Sequence, residues 1–139
     1  SSQSHDDAVM ATSDDAAVSK LSAVQLKYLE DPYIQHMVAQ PTRRAPLINR
    51  GYYSRVRHIR KALDSFLELS ESVGEQPQVV SLGAGLDTMW WCLRDEGKAP
   101  KGGWYEVDYE KVVRSKREVV LRTPPLSRAL GDGWEVGGG

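Results

Sequence analysis

Cysteine is almost absent: Cys92 stands alone in 139 residues, so no disulfide can form within the chain and its core must hold by packing. That scarcity fits a reducing compartment, and the cytoplasm is the expected location. With only three histidines beside the one cysteine, and no ligand spacing among them, no metal is expected. No apolar run approaches the roughly 20 residues that span a bilayer, and the N-terminus lacks the basic-then-apolar order of a secretory signal, so no membrane partner is expected. An excess of one charge is missing too. Eighteen Lys and Arg stand against 19 Asp and Glu, a net charge of -1, which supplies no overall field for nucleic acid or an anionic surface. No GxxxxGK(S/T) loop occurs, so nucleotide hydrolysis has no support.

What remains is an ordinary globular composition, 40% hydrophobic and 27% charged, sufficient for one core. The polar, acidic, serine-rich "SSQSHDDAVMAT" reads as a mobile leader over residues 1–12. Ser13 followed by Asp14 and Asp15 reads as an N-cap, opening a helix that carries Leu21, Val24 and Tyr28 and runs to about Leu29. Asp31-Pro32 reads as the cap and first residue of a short helix. After the proline-interrupted, basic "AQPTRRAPLINRG", an apolar stripe of Tyr52, Val56, Ile59, Leu63, Phe66 and Leu67 predicts a helix ending near Glu71. Residues 13–72 thus form a helical extension. Val79, Val80 and Leu82 then read as a short parallel strand covered on both faces, a helix holds Met89, Trp90 and Leu93, and "WYEVD" closes a second strand at Asp108. A last helix runs from about Tyr109 to Arg122, where the double proline of "TPPLS" ends it. Residues 131–139 read as a flexible glycine-rich tail. Two parallel strands joined by one helix leave two open edges, so residues 73–130 are expected to be the first part of a larger α/β sheet, truncated after its second strand–helix unit.

The stretch "VVSLGAGLDTMWW" carries the chemistry. Glycines after a strand let the backbone approach a ligand, and the following helix start offers partly positive N–H groups. Gly83 and Gly85 sit where that requires. Such a pair also serves plain turns. Asp108, about 20 residues on and at the end of the next strand, is placed to accept hydrogen bonds from ribose hydroxyls. It can equally cap the helix that starts at Tyr109. A dinucleotide site wants a third glycine where Thr88 stands, and Asp87 brings negative charge near a pyrophosphate. Among nucleoside cofactors, S-adenosylmethionine tolerates that acid.

"DPYIQHMV", "APLINRGYYSRV", "VVSLGAGLDT", "WYEVDY" and "PPLS", in this order between about Asp15 and Ser127, resemble the leucine carboxyl methyltransferase family. The resemblance implies a Rossmann-like class I S-adenosylmethionine-dependent methyltransferase fold with added N-terminal helices. It implies S-adenosyl-L-methionine as cofactor and, as substrate, the C-terminal leucine carboxylate of the protein phosphatase 2A catalytic subunit, with the enzyme a monomer. Lys20 in "AVSKLSA", Arg55 in "GYYSRV", Gly83 and Asp108 match the family's cofactor contacts, and Arg55 has the catalytic position. A carboxylate oxygen would displace the sulfonium methyl in line; already ionised at neutral pH, it needs no strong base. Arg50 and Arg44 are weaker candidates for the same cleft. Trp90, Trp91 and Trp104 are expected in the core, His36 and His58 at the surface or between helices, and Cys92 as a small buried group. Full family members extend well beyond this length, so adenine and peptide contacts fall outside the sequence. Two alternatives stay open: a related methyltransferase acting on a tRNA wybutosine base, and a non-catalytic fragment that binds a partner.

Overall fold

Two long helices, of which the second is amphipathic, build most of the first half of the molecule, and short apolar runs the second. The computed structural model describes residues 2–137. Helix α1 spans Ser2–Gln25, a 3-10 turn Ile34–Met37, and α2 Pro46–Ser72; strand β1 (Gln78–Leu82), α3 (Met89–Asp95), β2 (Gly103–Val107), α4 (Glu110–Arg122) and α5 (Pro124–Leu130) follow.

Residues 2–12, read from sequence within a mobile leader over 1–12, belong to the first helix, which is already formed at Ser2; residue 1 lies outside the described residues. Ser13 is not its cap. The Ser13 hydroxyl donates to the Val9 carbonyl (3.2 Å) and that of Thr12 to Ala8 (3.0 Å), the i−4 bonding that lets hydroxyl residues sit inside a helix. Tertiary contacts hold the early turns: Asp7 pairs with Lys111, and the His5 ring stands edge-on to Tyr109 at 5.6 Å. The helix stops at Gln25, short of Leu29, because Lys27 turns left-handed at φ 66°. The Tyr28 N–H then reaches the Ala23 carbonyl (2.9 Å) and the Lys27 N–H that of Val24 (3.0 Å), a Schellman closure.

Helix α2 starts at Pro46, earlier than Tyr52, since proline lacks only an N–H that the first turn leaves unpaired. A buried knot fastens this end. The Ser22 hydroxyl donates to Asn49 Oδ1 (2.8 Å) and accepts from the Arg44 N–H (2.8 Å), while Asn49 Nδ2 donates to the Arg44 carbonyl (3.0 Å). The double proline likewise ends α4 but opens α5: Thr123 is extended, and Pro124 takes the first helical turn.

The strands pair in parallel, from Gln78 opposite Gly103 to Leu82 opposite Val107, with α3 as the crossover. Gly102 permits the tight entry to β2, because a Cβ there would stand 2.4 Å from the Gln76 carbonyl oxygen. Leu21, Ile34, Met37, Leu86, Trp91, Val119, Val120 and Leu126 form the core. Trp91 is buried there and its indole N–H donates to the Leu126 carbonyl (3.1 Å), whereas Trp90 and Trp104 are half-buried. Val80 and Leu82, expected to be covered, are 58% and 78% exposed, and Tyr105 and Val107 on the same face are exposed with them. Strand alternation explains this: that face of the described sheet carries no packing partner able to bury it.

Leu126 is wholly buried, so Leu126→Ala should lower the unfolding free energy by about 2–5 kcal/mol. Leu121→Ala, on the exposed side of α4, should cost less than about 1 kcal/mol in the same urea titration.

Candidate functional site

β1 runs directly into the glycine loop. The Gly83 N–H donates to the Val107 carbonyl (2.8 Å), extending the ladder one residue past the strand. Gly83 and Gly85 then take φ values of 64° and 54°, the left-handed region that side chains resist. A Cβ on Gly83 would meet nothing within 4 Å, so this side of the loop is open. Asp108 at the end of β2 reaches back to the loop: its Oδ2 accepts the Gly85 N–H at 2.7 Å and its Oδ1 the Tyr109 N–H at 2.7 Å.

The open side faces a cleft of about 590 Å³ between α1, α2 and the strands, within the roughly 300–1,000 Å³ of small-molecule sites. Lys20 from α1, Arg55 from α2, and Gly83 and Asp87 from the loop line it. Tyr52, Val56, Ile59 and Leu63, read from sequence as part of an apolar helix stripe, also line this cleft, as does Trp104. Three of the four sequence-predicted residues, Lys20, Arg55 and Gly83, therefore meet in one place. Asp108 does not line the cleft and is joined to its rim through Gly85. Arg44 and Arg50 do not line it either, and Arg44 pairs with Asp15 at 2.6 Å.

The two cations of the cleft differ in surroundings. Lys20 is buried, with Nζ 2.9 Å from Asp31 Oδ2, 3.2 Å from Thr88 Oγ1 and 3.5 Å from Asp87 Oδ1. The Thr88 hydroxyl closes the triangle by donating to Asp31 Oδ2 (2.5 Å). Burial opposes the Lys20 charge and is the largest single influence, yet Asp87 and Asp31 together outweigh it and raise its pKa above the ordinary lysine value. Burial works against the Asp31 charge as well, but Lys20 and the Thr88 hydrogen bond hold that carboxyl below the usual range. Arg55 is exposed and, among the described residues, forms no ion pair.

Sequence reasoning read Asp31 only as a cap. It is one, since its Oδ1 accepts the N–H groups of Tyr33 (2.8 Å) and Ile34 (3.1 Å), but its other oxygen holds Lys20. A local role that explained the residue concealed the distant one. Lys116 was missed as well: its Nζ donates to the Asp87 carbonyl (2.6 Å) and Glu106 Oε2 (2.5 Å), 5.5 Å from the Trp91 ring centre. Cys92 is half-buried, and burial, then Asp31, pushes its thiol up to about 12, so it remains protonated near neutral pH. His36 is half-buried and His58 exposed. Among the described residues no three His, Cys, Asp or Glu gather as a metal site, and no helix is long and apolar enough to cross a membrane.

A strand, a two-glycine loop, a helix and a parallel second strand ending in an acid, preceded by helices, form the opening part of a Rossmann-like class I S-adenosylmethionine-dependent methyltransferase fold. The family described as Leucine carboxyl methyltransferase matches residues 3–129, and the chain belongs to that family. It is 42% identical over 130 residues to a leucine carboxyl methyltransferase 1 homolog of Arabidopsis thaliana, covering 94% of this chain and 38% of that protein. It is 39% identical over 126 residues to leucine carboxyl methyltransferase 1 of Rattus norvegicus, covering 90% of this chain and 37% of that protein. A tRNA wybutosine-synthesizing protein 4 of Homo sapiens is 38% identical over 126 residues, covering 89% of this chain and 18% of that protein. The chain thus spans less than two-fifths of the length of each of these relatives.

Removing Asp31 leaves the Lys20 charge buried with only the more distant Asp87. Asp31→Ala should cost about 3–5 kcal/mol of stability at pH 7. Because the folded Asp31 carboxyl has a lowered pKa, its contribution is present above its unfolded value of about 4 and is lost as pH falls through the folded value. Urea titrations from pH 7 downward should show the gap between wild type and variant narrowing in acid; a constant gap would contradict the pairing.

Proposed function

We propose that the protein is an S-adenosylmethionine-dependent methyltransferase that esterifies the α-carboxylate of a C-terminal leucine, with the tail of the protein phosphatase 2A catalytic subunit as substrate. The observation that carries this reading is the meeting of Lys20, Arg55 and Gly83, from three separate elements, around one cleft whose glycine loop is bonded to Asp108. S-adenosylmethionine would supply an activated methyl group. The chain's own residues suit such a ligand: the bare Gly83 backbone allows close approach, and Asp108 presents two carboxylate oxygens at the neighbouring strand end. The Arg55 guanidinium, free of ion pairs among the described residues, offers a fork for carboxylates. Lys20 adds a donor at the wall. Tyr52, Val56 and Ile59 provide an apolar side that displaces water and strengthens the charged contacts. A leucine carboxylate is ionised at neutral pH, so positioning and charge stabilisation are what the protein contributes. The enzyme works as a cytoplasmic monomer in this proposal.

Similarity to the human tRNA wybutosine-synthesizing protein, at 38%, is nearly that to the rat leucine carboxyl methyltransferase, at 39%. The balanced charge, net -1, favours a peptide over tRNA. Labelled S-adenosylmethionine offered to the whole protein with a leucine-ending phosphatase-tail peptide, the same peptide amidated, and bulk tRNA separates the readings. Base-labile label should enter the free-acid peptide alone. Label in tRNA, or in the amidated peptide equally, would overturn the proposal. Asp108→Ala should weaken cofactor binding by about 2–4 kcal/mol, measured by calorimetry, with the fold intact.

A further inference from the structure

Helix α2 carries one wall of the cleft, yet few bonds hold it there. Its first turn is fastened to α1 through Asn49, and its last leads through a turn to β1. Between these ends, among the described residues, only Arg60 and Asp64 send side-chain bonds from α2 to the part of the molecule that holds the strands and α3. The Arg60 fork grips the Glu96 carboxylate with both arms: Nη1 donates to Oε1 (2.9 Å) and Nη2 to Oε2. Its Nε donates to Asp64 Oδ1 (2.9 Å), one turn further along α2, and Lys98 approaches that same oxygen at 3.6 Å. All three guanidinium nitrogens have carboxylate partners. The hydrogen bonds from Arg60 hold the Glu96 carboxyl below the usual glutamate range.

Glu96 closes α3, its N–H on the Cys92 carbonyl (3.2 Å), while Thr88 at the other end of α3 is held by Lys20 and Asp31. At seven residues α3 is a strut about 10 Å long, so whatever is bonded to Glu96 keeps a fixed offset from the glycine loop. Arg60 stands five residues after Arg55 on one continuous helix, about 7.5 Å along its axis, and Ile59 beside it lines the cleft. A two-armed bond resists both sliding and rotation of α2. Either movement would carry Arg55 with it.

We infer that Arg60 and Glu96 form a latch between α2 and the end of α3 that sets the width of the cleft and thereby positions Arg55. Neither residue lines the cleft, so both act through Arg55 and are positioning residues. The inference rests on the S-adenosylmethionine reading and adds to it the device that holds one wall of the site. Partly exposed ion pairs contribute little to folding, and here the Arg60 side chain is 19% and that of Glu96 46% exposed. Loss of the pair should therefore appear in ligand affinity more than in unfolding.

Calorimetry of S-adenosylhomocysteine binding to the whole protein tests it, with urea titrations of the same variants to establish that each is folded. Arg60→Ala and Glu96→Gln should each weaken binding by roughly 10-fold. The double variant should lose no more than about 2-fold beyond either, because both changes remove one bond. In an Arg55→Ala background, Arg60→Ala should alter affinity by less than about 2-fold, since the group it positions is gone. Arg57→Ala removes an exposed cation of the same helix that forms no ion pair among the described residues, and it too should change affinity by less than about 2-fold. Unchanged affinity in both single variants, losses that multiply in the double variant, a full loss in the Arg55→Ala background, or an equal loss in Arg57→Ala overturns the inference and leaves the cofactor reading standing. Should Arg60→Ala fail to fold, Glu96→Gln, which keeps the shape and drops only the charge, carries the same comparison with Arg55→Ala. If wild type does not bind the compound, the cofactor reading fails and takes the inference with it.

Discussion

The buried triangle of Lys20, Asp31 and Thr88 joins the two halves of the molecule. One carboxylate caps the 3-10 turn with Oδ1 and grips both the α1 lysine and the Thr88 hydroxyl with Oδ2. Three segments therefore share a single acidic side chain: α1, the turn just after it, and, 57 residues on from Asp31, the residue that precedes α3. A buried pair of this kind gains little over an apolar contact, because desolvating both charges offsets their attraction. What it contributes is geometry. Hydrogen bonds in fixed directions leave α1 one position against the glycine loop, and the cleft exists because that position is held.

A second buried cation works from the other side. Lys116 on α4 ties the Asp87 carbonyl to Glu106 on β2, so the loop between β1 and α3 is pinned to both the helical extension and the second strand. Asp108 adds a third tether through Gly85. With the loop fixed at three points, the bare face of Gly83 is offered to a ligand already in place, and little ordering cost remains for binding.

Legibility in the sequence followed the strength of local signals. β1 and β2 were readable because short apolar runs sit between glycine and proline turns, and α4 because valines recur at helical spacing. The start of α1 was not, since its first turns have no apolar stripe and are held by Asp7–Lys111 and His5–Tyr109, partners about a hundred residues away. The prolines misled in a consistent direction. Pro46 and Pro124 read as interruptions, yet each opens a helix, and only the surrounding tertiary structure decides between stop and start. In the site, Gly83 and Asp108 were marked by position in a strand–loop–helix unit, whereas Lys20 and Arg55 entered only through resemblance to the family, because a lysine or arginine on a helix carries no local sign of what it faces. Lys116, and the bonds of Asp31 and Asp87 to Lys20, went unread for the same reason: their partners are tertiary.

The α2 stripe shows how a correct pattern acquires another use. Tyr52, Val56, Ile59 and Leu63 recur as a core face should, and they line the cleft opposite the glycine loop. Apolar periodicity reports that a face is shielded from water, without saying whether protein or ligand shields it. A crystal structure of the whole protein with S-adenosylhomocysteine measures this most directly. The amino-acid end should lie in the cleft by Arg55 and Gly83, with the ribose hydroxyls about 2.6–3.2 Å from the Asp108 carboxylate. Density elsewhere, or hydroxyls remote from Asp108, would contradict the cleft's assignment as the cofactor site.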